Sequence, residues 1–351
     1  MNNANKRVRI NPDILKIARE SREMSQTDLA RTLGVPQGKI SKIEADLLTV
    51  SRADLFAIAK VLDYPEHFFL WADSAHSVAS HEMFHRRRQK VSARTLARIH
   101  AEMNIAQMRL KRLLDSAVIE RDGFERIDPD EFDGDVEALA RAVRVAWHIP
   151  PGPIRDVTKE IENAGGVIVR HDFRTRQVDA VSQWLPHLPP VFFVNDQLPA
   201  DRERLTLGHE VGHVIMHRTI EPDAETQAAR FAGEFLMPAE DIRHELRDAT
   251  LERLANLKSY WKVSMAALNV RAHELGAITE RQYRRNAMRL SQLGYRLVEP
   301  VDLPREEPKI LGELIALHVE ELGFDDQDLG YLLADNHLNR QRRRANLSVL
   351  I

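Results

Sequence analysis

The 351 residues include 43% apolar and 29% charged side chains, with a net charge of −3. At about 150 residues per domain this length predicts two or three folded units. No apolar run approaches the roughly 20 residues of a membrane span, and cysteine is absent, which excludes disulfides, thiolate zinc fingers, iron–sulfur clusters and cysteine nucleophiles. Any metal must therefore be held by His, Asp or Glu. Met1 to Ile10 carries Lys6, Arg7 and Arg9 with no apolar stretch behind them, unlike a secretory signal, so a cytoplasmic protein without a membrane partner is expected. The near-neutral charge hides an asymmetry: Met1 to Lys42 holds nine Lys or Arg against four acids.

That basic front has a short helical period. Ile14, Ile17 and Ala18, then Leu29, Ala30 and Leu33, then Ile40 and Ile43 recur at spacings of three or four, predicting three short helices. Ser25 with Asp28, and Ser51 with Asp54, can each satisfy free amides at a helix start, the second pair opening a fourth helix. Gly34 suits a left-handed turn and Pro36 the start of the next helix. This is the layout of a helix-turn-helix, whose second helix enters the major groove. With Ile40 and Ile43 inward, Gln37, Gly38, Lys39, Ser41 and Lys42 face outward, residue types suited to base edges and phosphates. A helical dimerisation module with an ordinary polar face is the competing reading.

Ser25-Gln26-Thr27-Asp28-Leu29-Ala30, Leu33-Gly34-Val35 and Ile40-Ser41-Lys42-Ile43-Glu44 resemble the XRE/Cro/CI repressor-type DNA-binding domain over about Ile10 to Trp71. The resemblance implies that Gln26 contacts phosphate, that Gln37, Gly38, Lys39, Ser41 and Lys42 face a double-stranded operator, and that the chain binds as a homodimer on two half-sites.

From Ser74 to Arg88 the pattern loosens, ending in the basic run His85 to Lys90, which reads as solvated linker before it reads as a second DNA contact. Ser92 to Val118 follows as an amphipathic packing helix. Acids from Asp128 to Glu137 then mark a boundary near residues 122 to 135. Beyond it, helices are expected over Val136 to Trp147 and Ile154 to Ala164. Short strands follow at Val167 to Val169, Val181 to Leu185 and Val191 to Val194, the last read as an edge that could hold an extended peptide.

The segment Leu205 to His217 contains H-E-x-x-H within a largely apolar helical stretch. Residues four apart share a helix face, so His209 and His213 can both address one metal, with Glu210 beside it to take a proton from water. By composition alone the motif would arise in about one such chain in 25, but here it follows a small sheet in an apolar helix. A third ligand is expected from the next helix, where Glu225 and Glu234 compete. Nine positions put them half a turn out of phase, so only one can serve. Glu225 is favoured because it shares a stripe with Ala228, Ala229, Ala232 and Leu236, which lets the helices approach; Glu234 is expected to support the site from behind or lie at the surface. His217 has rotated away from His209 and is expected to cap or support rather than ligate. Tyr260, Tyr283 and His273 are possible oxyanion donors, and none is assigned.

Gly208 to His213, Phe231 to Pro238, Val263 to Leu268 and Arg271 resemble the ImmA/IrrE metallopeptidases over about residues 135 to 290. The resemblance implies a zincin-like fold, zinc held by His209, His213 and Glu225, and Glu210 as the catalytic glutamate. It also implies a repressor-type transcription factor as protein substrate, cleaved in a stress or mobile-element response. Two His and one Glu also accept manganese. The alternative is a non-proteolytic transcription factor or antitoxin-like regulator whose peptidase fold acts as sensor or scaffold.

After Pro300 and Pro304, Ile310 to Leu322 reads as an amphipathic helix and Gly323 to Leu329 begins another, with a basic tail at Arg340, Arg342, Arg343 and Arg344. The expected fold is mainly α (α+β): an all-helical helix-turn-helix domain over 1–72, a helical linker over 73–130, a zincin-like peptidase domain with a small sheet over 131–295, and a helical carboxy-terminal domain over 296–351.

Overall fold

The computed structural model describes residues 7–74, 91–117, 119, 123–218 and 222–338. The basic run His85 to Lys90 and the tail arginines Arg340, Arg342, Arg343 and Arg344 lie outside the described residues. Those described are mainly helical, with fifteen α-helices and two small sheets. None of the helices is long and apolar enough to cross a membrane. The elements in chain order are β1 (Arg7–Val8), α1 (Pro12–Ser21), α2 (Gln26–Leu33), α3 (Gln37–Glu44), β2 (Val50–Ser51), α4 (Arg52–Leu62), α5 (Ala93–Leu114), α6 (Val136–Ala146), α7 (Val157–Asn163), β3 (Val167–His171), β4 (Ala180–Gln183), β5 (Val191–Asn195), α8 (Ala200–Met216), α9 (Ala224–Leu236), α10 (Ala239–Ile242), α11 (Leu251–Trp261), α12 (Met265–Glu274), α13 (Glu280–Gln292), α14 (Ile310–Glu320) and α15 (Asp326–Leu332). They form two compact units.

The first unit combines the amino-terminal portion, through residue 119, with the stretch from 311 onward. Ser25 and Ser51 each cap a helix reciprocally with Asp28 and Asp54, as their spacing predicts. Gly34 closes α2 in the left-handed conformation at φ 68°, where a side chain would be strained. Ile14, Leu15, Leu29, Ile40, Ile43, Leu55 and Ile58 fill the space between α1, α2, α3 and α4. A two-residue antiparallel ribbon, Arg7 opposite Ser51 and Val8 opposite Val50, adds to the expected all-helical front. It is too short to leave an alternating pattern in the sequence.

Helix α5 departs further from expectation. Its apolar stripe predicts one buried face, yet every residue from Arg98 to Leu110 is buried. Its buried arginines find partners: Arg98 pairs with Glu102 at 2.9 Å and with Glu23 at 3.2 Å, and Arg109 donates to the Ala334 carbonyl at 3.1 Å. Burial of such groups is tolerated when each finds a partner. α15 returns to pack on α5, a contact between residues more than 200 apart that no local period encodes.

The second unit runs from 120 to 310. Its sheet has the order β3-β5-β4, with β3 parallel and β4 antiparallel to β5. β5 is therefore the central strand, which corrects its expected role as the edge; β3 and β4 are the described edges. Ile168, Phe192 and Ser182 lie in register across the three strands on one face. Ile168 and Phe192 join the core that α6, α7, α8, α9, α11 and α12 complete. α7 starts at Val157, later than expected, because Asp156 caps it by accepting from the Lys159 amide. The chain from 299 to 310 straps this unit with charge: Lys258 binds Asp201 and Glu299, Glu306 pairs with Arg204, and Glu162 accepts from the amides of Lys309 and Ile310.

Candidate metal centre

α8 and α9 can lie close because of two glycines. A Cβ on Gly212 would sit 3.1 Å from the Phe231 ring, and one on Gly208 would sit 3.4 Å from Leu236. Ala228 and Ala232 of α9 are buried in the same contact, while Ala229, expected in that stripe, is exposed. The close approach carries Glu225, in the first turn of α9, up to the face of α8 that holds His209 and His213.

The three side chains converge. His213 Nε2 lies 3.0 Å from His209 Nε2 and 3.3 Å from Glu225 Oε1, and His209 Nε2 lies 3.7 Å from Glu225 Oε2. Ligands bound to one tetrahedral ion at 2.0–2.1 Å stand about 3.3 Å apart, so the spacing of these atoms fits a single divalent ion. Two imidazoles and a carboxylate are also the donor types that zinc and manganese accept. Among the described residues this is the one group of three His, Asp or Glu side chains close enough to share an ion.

Glu210 follows His209 but turns toward the sheet. It is buried, and Ser182 Oγ of β4 donates to its Oε2 at 2.5 Å. Burial drives the Glu210 carboxyl from an ordinary 4.5 up to about 7; the Glu225 carboxylate pushes the same way and the Ser182 hydrogen bond opposes both. Ser182 escaped sequence reasoning because a serine in a short strand carries no distinguishing signal.

Glu234 lies on the opposite side of α9, as the half-turn argument requires, but it is neither at the surface nor behind the cluster. It is completely buried, pairs with Arg271 and with Arg141 at 3.1 Å, and accepts from the Ala239 amide at the start of α10. It fastens the end of α9 to α6 and α12. Tyr260 is exposed, and His273 stacks on Tyr283 and pairs with Glu280. No hydrogen bond or ion pair among the described residues joins these three to the His/Glu cluster.

In the first unit, α3 presents Gln37, Gly38 and Lys42 to solvent, and Ser41 is half-buried. Gln37 donates to Gln26 Oε1 at 2.8 Å, and Gln26 donates to Glu44 at 2.8 Å, so the starts of α2 and α3 are tied together through amides. Lys39 turns toward α4 and pairs with Asp54 at 2.8 Å.

A protein-family model described as helix-turn-helix matches residues 15–69, and one described as the IrrE N-terminal-like domain, from a metallopeptidase family, matches residues 161–273. The chain joins a helix-turn-helix domain to an IrrE N-terminal-like domain. No curated protein matches the chain. The IrrE N-terminal-like match contains Ser182, His209, Glu210, His213 and Glu225, and the helix-turn-helix match contains α2 and α3 whole.

Proposed function

We propose that this protein is a DNA-binding transcriptional regulator whose second unit is a zinc-dependent endopeptidase cleaving a repressor-type protein, or its own chain, in a stress or mobile-element response. The observation that carries the enzymatic part is the convergence of His209, His213 and Glu225 on a common point beside the buried Glu210. The helix-turn-helix match and the solvent-facing Gln37, Gly38 and Lys42 support binding to a double-stranded operator, with Gln26, Lys39 and Ser41 completing the proposed surface. One copy per chain favours a homodimer on two half-sites.

His209, His213 and Glu225 would hold the ion, zinc or alternatively manganese. When bound, it would supply Lewis acidity at a peptide carbonyl and lower the pKa of a water. Glu210 would take the proton of the attacking water and return it to the departing amine. Burial raises the Glu210 carboxyl well above an ordinary carboxylate, toward the range in which it can both take and return a proton. Ser182 holds Glu210 in place by donating to one carboxylate oxygen, leaving the other for the proton. β4, one of the two described edges of the sheet and the one that carries Ser182, is the strand along which an extended substrate could lie.

The test is incubation of the zinc-loaded full chain with repressor-type proteins encoded beside it, reading fragments by mass spectrometry against Glu210→Gln. Fragments specific to the wild type are expected. Identical patterns, with operator binding intact, would instead establish a regulator that does not cleave.

A further inference from the structure

His213 is gripped from behind by residues that address its other ring nitrogen. His217 follows α8, its amide still bonded to the His213 carbonyl at 3.0 Å, but its backbone is extended there, at φ −110° and ψ 113°. That turn brings its ring back against His213, with the two Nδ1 atoms 2.9 Å apart. On its far side, His217 Nε2 lies 2.8 Å from Gln227 Oε1 of α9. His213 and His217 are both buried.

The proton positions follow from what each atom can do. An amide oxygen only accepts, so the hydrogen between Gln227 and His217 belongs to His217 Nε2. A neutral imidazole then has a bare Nδ1, which must accept from His213 Nδ1. His213 is left with its lone pair on Nε2, the atom that faces Glu225 and His209. One amide on α9 thus specifies, through the His217 imidazole, which nitrogen of His213 is available for a cation.

We propose that Gln227 and His217 are positioning residues that hold His213 in its metal-binding tautomer and orientation. The proposal rests on the metal-site reading above and extends it to residues that touch neither ion nor substrate. Glu225 and Gln227 stand two apart at the start of α9, so this one stretch supplies both a ligand to the ion and the hydrogen-bond anchor for another. Partners behind a ligating histidine typically change metal affinity 10- to 100-fold, or roughly that order.

Zinc affinity of the full chain, measured by competition with a fluorescent chelator, tests it without relying on turnover. Gln227→Leu removes the acceptor at similar size and should weaken zinc binding about 10- to 100-fold. Gln227→Glu keeps an oxygen acceptor there and should restore affinity to near that of the wild type. Nitrogen-15 spectra of histidine-labelled protein before zinc is added should show His213 protonated at Nδ1 in the wild type and a mixture of tautomers in Gln227→Leu, a difference a merely structural contact would not produce. Equal affinity in Gln227→Leu and wild type, or equal weakening in Gln227→Leu and Gln227→Glu, overturns the proposal. A wild type that binds no zinc overturns the metal-site reading, and the proposal with it; zinc binding indifferent to Gln227 overturns the proposal alone.

Discussion

On α3, Gln37, Gly38 and Lys42 stay exposed, Gln37 sharing a solvent-exposed hydrogen bond with Gln26; on α8, Glu210, His213 and the trailing His217 are buried, and each is fixed by a partner. The difference matches the sizes of the proposed ligands. A duplex is broad and uniformly charged, and a solvated face can meet it with little preparation, since phosphate contacts act through charge and counterion release. A single ion and one peptide bond demand side chains held to within a fraction of an ångström, and that requires dry, hydrogen-bonded surroundings. Substitutions should therefore cost stability and local chemistry in the buried surroundings of α8 and α9, and only affinity on the exposed face of α3.

The largest expected effect on stability lies at Glu234. Removing its carboxylate leaves Arg271, which is 3% exposed, with only the half-exposed Glu274 at 3.6 Å to offset its buried charge. Glu234→Ala should cost about 3–5 kcal/mol. By contrast, Arg9→Ala, which removes the exposed pair with Asp46, should cost about 0–1 kcal/mol. Urea unfolding of the full chain followed by tryptophan fluorescence measures both, because Trp147, Trp184 and Trp261 report on the second unit and Trp71 on the first. Similar losses for the two variants would erase the contrast between the regions.

The same contrast governs what the sequence reveals. Helix caps at Ser25 and Ser51, the left-handed Gly34, the three strands and the H-E-x-x-H face are local, and spacing alone announces them. The half-turn separation of Glu225 and Glu234 is likewise local geometry, and it places the two on opposite sides of α9. What spacing leaves dark is whatever a distant segment supplies. Ser182 reaches Glu210 across 28 residues, Gln227 reaches His217 from another helix, and α15 covers the polar side of α5 from the far end of the chain. The order β3-β5-β4 is hidden for the same reason, since a strand's place in a sheet depends on connections and not on its own composition.

A second measurement sharpens the comparison through pH. In the chelated protein the Glu210 carboxyl, raised by burial to about 7 from 4.5, binds its proton more tightly folded than unfolded. Its contribution to stability is then fully present below about 4.5 and is lost as pH rises through about 7, by roughly 1.4 kcal/mol per unit across that window. Wild type minus Glu210→Gln isolates this group from the neighbouring histidines. The difference in unfolding free energy should shift against the wild type from pH 5 to pH 7 and level off above it. A flat difference would mean that Glu210 is solvated in the chelated protein, and that the second unit's site is not dry.

The smallest effects belong to α3, and there two lysines three apart should behave differently. Lys42 is exposed with its charge free for a phosphate, whereas the Lys39 ammonium already sits 2.8 Å from Asp54 and must leave that carboxylate to reach DNA. Removing a phosphate contact weakens binding at all sequences alike and lowers the slope of log affinity against log salt by about 1. Lys42→Ala should do this. Lys39→Ala should change the slope less, because the charge it deletes is partly cancelled before DNA arrives, and Asp54→Asn should bring the Lys39 charge into play and steepen the slope. Shift assays with operator DNA at several salt concentrations separate the cases. If Lys39→Ala and Lys42→Ala lower the slope equally, DNA draws Lys39 away from Asp54, and even this exposed face reorganises to bind.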